Sequence, residues 1–88
     1  MSLCFKKRNV EIVEIPLTSI NLSEKNRRSL QSHRAKIDEI RKAFEEGIEI
    51  PPIKLNKDGD GTFDIADGRH RFLAAEAAGL TFIDAIVV

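Results

Sequence analysis

Arg69, His70 and Arg71 follow Asp67-Gly68 where a strand-forming stretch gives way to an alanine-rich one that reads as helix. The first turn of a helix presents unpaired N–H groups and a partial positive charge, so it attracts anions. Acidic residues normally complement that end. Three adjacent bases oppose it, and they become favourable when an anion sits among them. Arginine suits phosphate because its guanidinium fork donates paired hydrogen bonds. A plainer account makes Asp67 a helix cap and the bases a solvated surface. It does not explain three bases at the wrong helix end. Gly68, Arg69, His70 and Arg71 are therefore read as a phosphate cradle.

Two further segments carry chemical residue types. From Asn56 to Asp64, oxygen-bearing side chains fall at loop positions one, three, five and nine, with glycine at six, the spacing of a calcium loop. Its last position would be Asp67, where a glutamate is usual. A calcium loop also needs a helix running into it, and Pro51-Pro52 with Ile53-Lys54-Leu55 opposes one. An Asp/Gly-rich hairpin turn is the better reading, and calcium is not expected. The second segment, Lys25 to Lys36, is basic. Lys36 borders Ile37 at the edge of an apolar helix stripe, where its ammonium could reach over a pocket or simply meet water. His33 has no motif around it and reads as a surface histidine. Cys4 has no base or metal partner nearby in sequence and is not expected to be a nucleophile.

The elements that must hold these residues follow from periodicity. Val10 to Ile15 reads as a strand ending at Pro16. Asn21 to Ser32 is polar and reads as loop or irregular helix. His33 to Glu46 places Ile37, Ile40 and Phe44 at helical spacing, an amphipathic helix with one face in the core, stopped by Gly47. Ile53 to Leu55 and Thr62 to Ala66 read as strands around a turn at Asn56 to Gly61. Arg69 to Ala78 is a helix whose small residues permit close packing on a sheet, with Gly79 as its stop. Phe82 to Val88 is a last strand. Phe44, Phe72 and Phe82 are expected in the core. The order β, loop, α, β, β, α, β predicts an α+β (or α/β) fold with a single small mixed sheet and two main helices.

Eighty-eight residues support one core: a tail over 1–9 and a domain over 10–88. The 42% hydrophobic content excludes wholesale disorder, and no apolar run approaches a membrane span. Lys6-Lys7-Arg8 and Glu11 interrupt any signal-peptide core, and one cysteine excludes a disulfide framework. A cytoplasmic protein without membrane contact is expected. Fourteen bases balance fourteen acids, so the chain is no polycation. The charge is segregated all the same. Lys25 to Lys42 holds seven bases against two acids; Ala43 to Gly68 holds two bases against seven acids.

In combination these segments resemble the ParB/sulfiredoxin superfamily over Val10 to Val88. Asn26-Arg27-Arg28 is similar to the Asn-Pro-Arg element of ParB-like domains, with Arg in place of Pro. Lys36 to Gly47 resembles the helix that follows, and Pro51-Pro52-Ile53 the start of the next strand in sulfiredoxins. Asp67-Gly68-Arg69-His70-Arg71, with Phe72-Leu73-Ala74-Ala75 and Ala78-Gly79, resembles the group's strand–loop–helix hallmark. The resemblance implies nucleotide chemistry, since sulfiredoxins hold ATP phosphates on this loop, ParB proteins hold CTP, and free-serine kinases carry a similar loop. It implies that Gly68 admits phosphate to the backbone, that the Arg69 and His70 N–H groups cradle it, and that His70 and Arg71 add side-chain donors. Lys36 and Arg28 match supporting cations. The chain departs from sulfiredoxins at Arg69, which stands where their reactive cysteine falls, and at Glu39 and Ala43, which replace hydroxyl residues. No counterpart of the serine kinases' glutamate is found, Glu24 being the sole acid in that loop. The helix-turn-helix domain of ParB proteins is not expected within this chain.

The resemblance implies a nucleotide- or phosphate-binding domain. The finer expectation is an NTPase in plasmid, phage or chromosome maintenance, with Mg2+ carried beside CTP or ATP and Asp67 the nearest carboxylate. Two alternatives stand beside it. One is a nuclease or DNA-backbone-binding protein using Arg27 and Arg28. The other is a non-catalytic subunit that pairs with itself or a partner protein through an open sheet edge.

Overall fold

The structure, a computed structural model, describes residues 11–59 and 61–88. Cys4, the tail and the expected start of the first strand at Val10 lie outside the described residues. Five strands form one mixed sheet: β1 (Val13–Pro16), β2 (Ile20–Asn21), β3 (Ile53–Lys57), β4 (Phe63–Asp67) and β5 (Phe82–Val87), in the spatial order β1-β5-β3-β4-β2. Pairing is antiparallel for β1/β5 and β3/β4, and parallel for β3/β5 and β2/β4. Three α-helices complete the fold: α1 (Glu24–Leu30), α2 (Arg34–Glu45) and α3 (Arg69–Ala77). The expected α+β architecture with a mixed sheet is what forms.

The sheet buries one face. Ile15, Ile53, Leu55, Ile65, Ile83 and Ala85 are buried, while Glu14, Lys54, Asp64, Ala66, Phe82 and Asp84 between them are exposed. This is the period-two alternation of a sheet covered on one side. Phe72, Ala74 and Ala75 of α3 are almost wholly buried, so the small residues bring that helix close onto the central strand as expected. The chain leaves β4, crosses β3 through α3, and returns as β5 on the far side.

Several expectations require correction. Of the two readings of Asn21 to Ser32, loop or irregular helix, the helical one forms over most of the segment, as α1 running into a 3-10 turn at Gln31–His33. Ile20–Asn21 pairs with β4, and Ser23 caps α1 by accepting a hydrogen bond from the Asn26 N–H at 3.2 Å. A single buried residue, Leu30, anchors α1, so no periodic stripe marks it in sequence. Phe82 is 49% exposed because the alternation of β5 turns it to the open face. In α2, Ile37, Ile40 and Phe44 are half-buried and no residue is buried outright. This helix packs chiefly against α3 and not on the sheet, so its apolar stripe borders grooves. The Asp/Gly-rich loop closes the β3–β4 hairpin, with the Asp58 N–H donating to the Thr62 carbonyl at 2.9 Å. A strand runs into it, not a helix.

Gly68 joins β4 to α3 with φ +108°, a left-handed conformation that side chains avoid. A Cβ placed there would lie 2.5 Å from Ile53 Cγ2 and 2.8 Å from Ile53 Cβ. Ile53 is fully buried and cannot retreat. Gly79 has a similar conformation, φ +79°, with open space around it. Gly68→Ala should therefore cost about 2–5 kcal/mol, combining strain with overpacking. Gly79→Ala should cost about 1 kcal/mol. Urea unfolding of the two variants checks this; equal losses would disprove the Ile53 clash.

Candidate functional site

The turn at Gly68 delivers the start of α3 to the start of α2. Gly68 is the N-cap residue of α3 and offers no side chain, and no side chain caps the helix. The first helical bond closes from the Phe72 N–H to the Gly68 carbonyl, at 2.9 Å. Asp67 is therefore not the cap that the plainer account supplies. Neither α2 nor α3 has an acidic residue in its first turn. Both helices thus begin with uncompensated positive ends.

A recess of about 240 Å³ lies between them, lined by Leu30, Lys36, Ile40, Asp67, Gly68, Arg69, His70 and Arg71. Five of the six residues expected to bind phosphate meet there: Lys36, Gly68, Arg69, His70 and Arg71. Leu30 and Ile40 supply an apolar wall. Three permanent cations face one carboxylate, so the recess is electropositive with His70 neutral. Arg28 is exposed on α1 and is not among the lining residues. Its neighbour Arg27 turns to α3 and forms a two-pronged ion pair with Glu76, at 2.9 and 3.0 Å. That pair ties α1 across α3 and engages one of the two arginines of the DNA-backbone alternative, while Arg28 stays exposed.

Two cradle residues have structural partners that the sequence did not reveal. Arg71 is half-buried, and its Nη1 donates to the Pro52 carbonyl at 2.9 Å. The Pro51-Pro52 segment thereby gains a charged donor at the point where it turns into β3. His70 lies with its ring parallel to that of His33, 2° between planes and 4.9 Å between centroids. His33 Nδ1 and His70 Nε2 are 2.7 Å apart. His33 is exposed, as expected of a surface histidine, but it is also the residue that opens α2 and bonds the second residue of α3. Thirty-seven positions separate the two rings in sequence, and no local spacing announces the contact. Partial burial lowers the His70 pKa below the ordinary imidazole value, helped by His33, Lys36 and Arg69.

Among the described residues no group of three or more metal-ligating side chains is assembled, and no helix is long and apolar enough to cross a membrane. The sequence pattern of the ParB N-terminal domain family matches residues 4–88. No curated protein matches the chain. Sulfiredoxin from Arabidopsis thaliana superposes with a TM-score of 0.69 at 26% identity, over 89% of this chain and 84% of its own. C-terminally truncated chromosome-partitioning protein ParB from Caulobacter crescentus, complexed with CTP-gamma-S, gives 0.66 at 19% identity, over 89% and 44%. A free serine kinase in complex with AMP gives 0.64 at 22% identity, over 90% and 31%. The chain spans most of the sulfiredoxin and less than half of the other two.

Two outcomes follow from these contacts. Arg71→Ala should lower stability by about 1–3 kcal/mol by stranding the Pro52 carbonyl; chemical unfolding at neutral pH measures it, and an unchanged midpoint would refute the contact. His70 binds its proton less readily in the folded chain than in the unfolded one. Stability should therefore fall as pH drops from ~6.5 through the lowered folded value. His70→Gln should flatten melting temperature against pH between 7.5 and 5; an unaltered slope would assign the dependence to other groups.

Proposed function

The chain belongs to the ParB N-terminal domain family, and from that premise we propose that it binds a nucleotide by its phosphates in the recess at the start of α3. The observation that carries this reading is the convergence of Lys36, Arg69, His70 and Arg71 on an uncapped helix N-terminus that begins at a glycine. Left empty, that arrangement is electrostatically costly; phosphate oxygens relieve it by accepting from backbone N–H groups and side-chain cations together. The bound nucleotides of the ParB and serine kinase structures, on the same fold, support the ligand class.

The residues divide the work by chemistry. Gly68 lets the chain turn from β4 into α3 in a left-handed conformation, and that turn brings the first N–H groups of the helix to the recess. Lys36 reaches in from α2 as a point charge, and Arg69 brings a planar fork from α3. Arg71 retains donors beyond the one held by Pro52. Asp67 would be the carboxylate to hold a divalent cation, which would offset phosphate charge, since magnesium needs few protein carboxylates. Arg28 takes no part in this reading. The recess volume suits phosphates better than a whole nucleotide, which places sugar and base over the adjoining surface. The nuclease alternative has weaker support, because one of its two arginines, Arg27, is paired with Glu76, and Arg28 is not among the residues lining the recess.

Thermal denaturation with CTP, ATP, GTP, their diphosphates, inorganic phosphate and calcium, with and without magnesium, tests the reading. A nucleotide at 100 times its dissociation constant should add about 2.7 kcal/mol of stability. Lys36 is exposed, so Lys36→Ala should fold normally yet bind about tenfold more weakly. A flat panel would overturn the reading, and a response to calcium alone would redirect attention to the hairpin loop.

A further inference from the structure

His33 belongs to no element of the phosphate reading, yet it makes the shortest side-chain contact at the site. At 2.7 Å, one ring nitrogen donates and the other accepts. The hydrogen count of the pair follows from that. A neutral pair carries two hydrogens: one lies in the shared bond, and one sits on the outer nitrogen of the accepting ring. One further proton occupies the remaining outer nitrogen and preserves the bond. A fourth hydrogen would place N–H groups face to face and break it. The pair therefore has two states compatible with its geometry, neutral and singly charged.

The surroundings select between them. His33 opens α2 and His70 lies in the first turn of α3, so two positive helix ends meet at the bond. Lys36 of α2, together with Arg69 and Arg71 of α3, adds positive charge; among the described residues Asp67 at the end of β4 is the one carboxylate lining the recess. Without an anion, these charges oppose a further positive charge at the bond. An anion in the recess reverses the local field.

We propose that His33 is a positioning residue of this site: it shares a proton with His70, and the pair takes up one further proton from solution when a phosphate group binds. His33 accepts or returns the shared hydrogen, and both outer nitrogens become N–H donors in the bound state. The site then answers phosphate with a cation that it does not have to carry when empty. This inference rests on the phosphate reading above.

Ring-nitrogen NMR of the 15N-histidine-labelled full chain, titrated with sulfate at pH 7.5, tests it directly. Sulfate keeps its charge across the neutral range, so any protonation belongs to the protein. Both His33 and His70 should move toward the imidazolium position. Sulfate affinity should rise by up to about tenfold per unit fall in pH between 8 and 7. His33→Ala, at an exposed position, should bind sulfate about three- to tenfold more weakly and take up fewer protons, counted by calorimetry in buffers of different ionisation enthalpy. A shift of His70 alone, or an affinity and proton count unchanged in His33→Ala, would overturn the role of His33 and leave the phosphate reading standing. Failure of sulfate, CTP and ATP all to bind would overturn the phosphate reading itself, and this inference with it.

Discussion

The Cα of Gly68 lies against Ile53 at the start of the central strand, where even a methyl group would enter the isoleucine side chain. The closeness of that contact fixes how deeply α3 settles onto β3. Ala74 and Ala75 can be buried completely because the helix begins so near the sheet, and Phe72 closes the remaining space. A Cβ on Gly68 would point at Ile53 and not into the recess, so this glycine serves the packing of α3 on β3, and that packing brings the first turn of the helix to the recess.

Charge placement works against the fold where packing supports it. Two arginines and a histidine at a helix N-terminus oppose the helix dipole, and no acid in the first turn compensates. The structure moderates the conflict side chain by side chain. Arg71 is drawn to the Pro52 carbonyl, which welcomes a cation. His70 bonds to His33 and is held toward its neutral form. Among the described residues Lys36 and Arg69 have no such side-chain hydrogen bond or ion pair, and both line the recess. Unfavourable electrostatics concentrated at one place, on a fold otherwise well packed, is the pattern expected of a ligand site.

The fold is shared with proteins of different activities, so the recess and not the sheet must carry any functional argument. The neighbouring ion pair between Arg27 and Glu76 keeps α1 docked on α3 and diverts one base away from the recess.

Much of this was written into the residue order. Period-two alternation and β-branched runs marked β3, β4 and β5, and alanine content with a following glycine marked α3. The cradle was legible because its residues are contiguous: a glycine and three bases at a strand–helix junction need no tertiary knowledge to be noticed. Helix α1 cannot be told from a loop by periodicity because it buries a single leucine, and Phe82, expected in the core, lies on the face of β5 that is open to solvent. Sequence spacing likewise could not foretell that Arg27 would pair with Glu76, that Arg71 would hold Pro52, or that His33 would meet His70. Residue order determined the elements and the local charge, because those depend on neighbours within a turn or a strand. Only the tertiary structure decided which charges are shared and which are left to face a ligand, because hydrogen bonds between residues tens of positions apart exist only once α1, α2 and α3 are packed together.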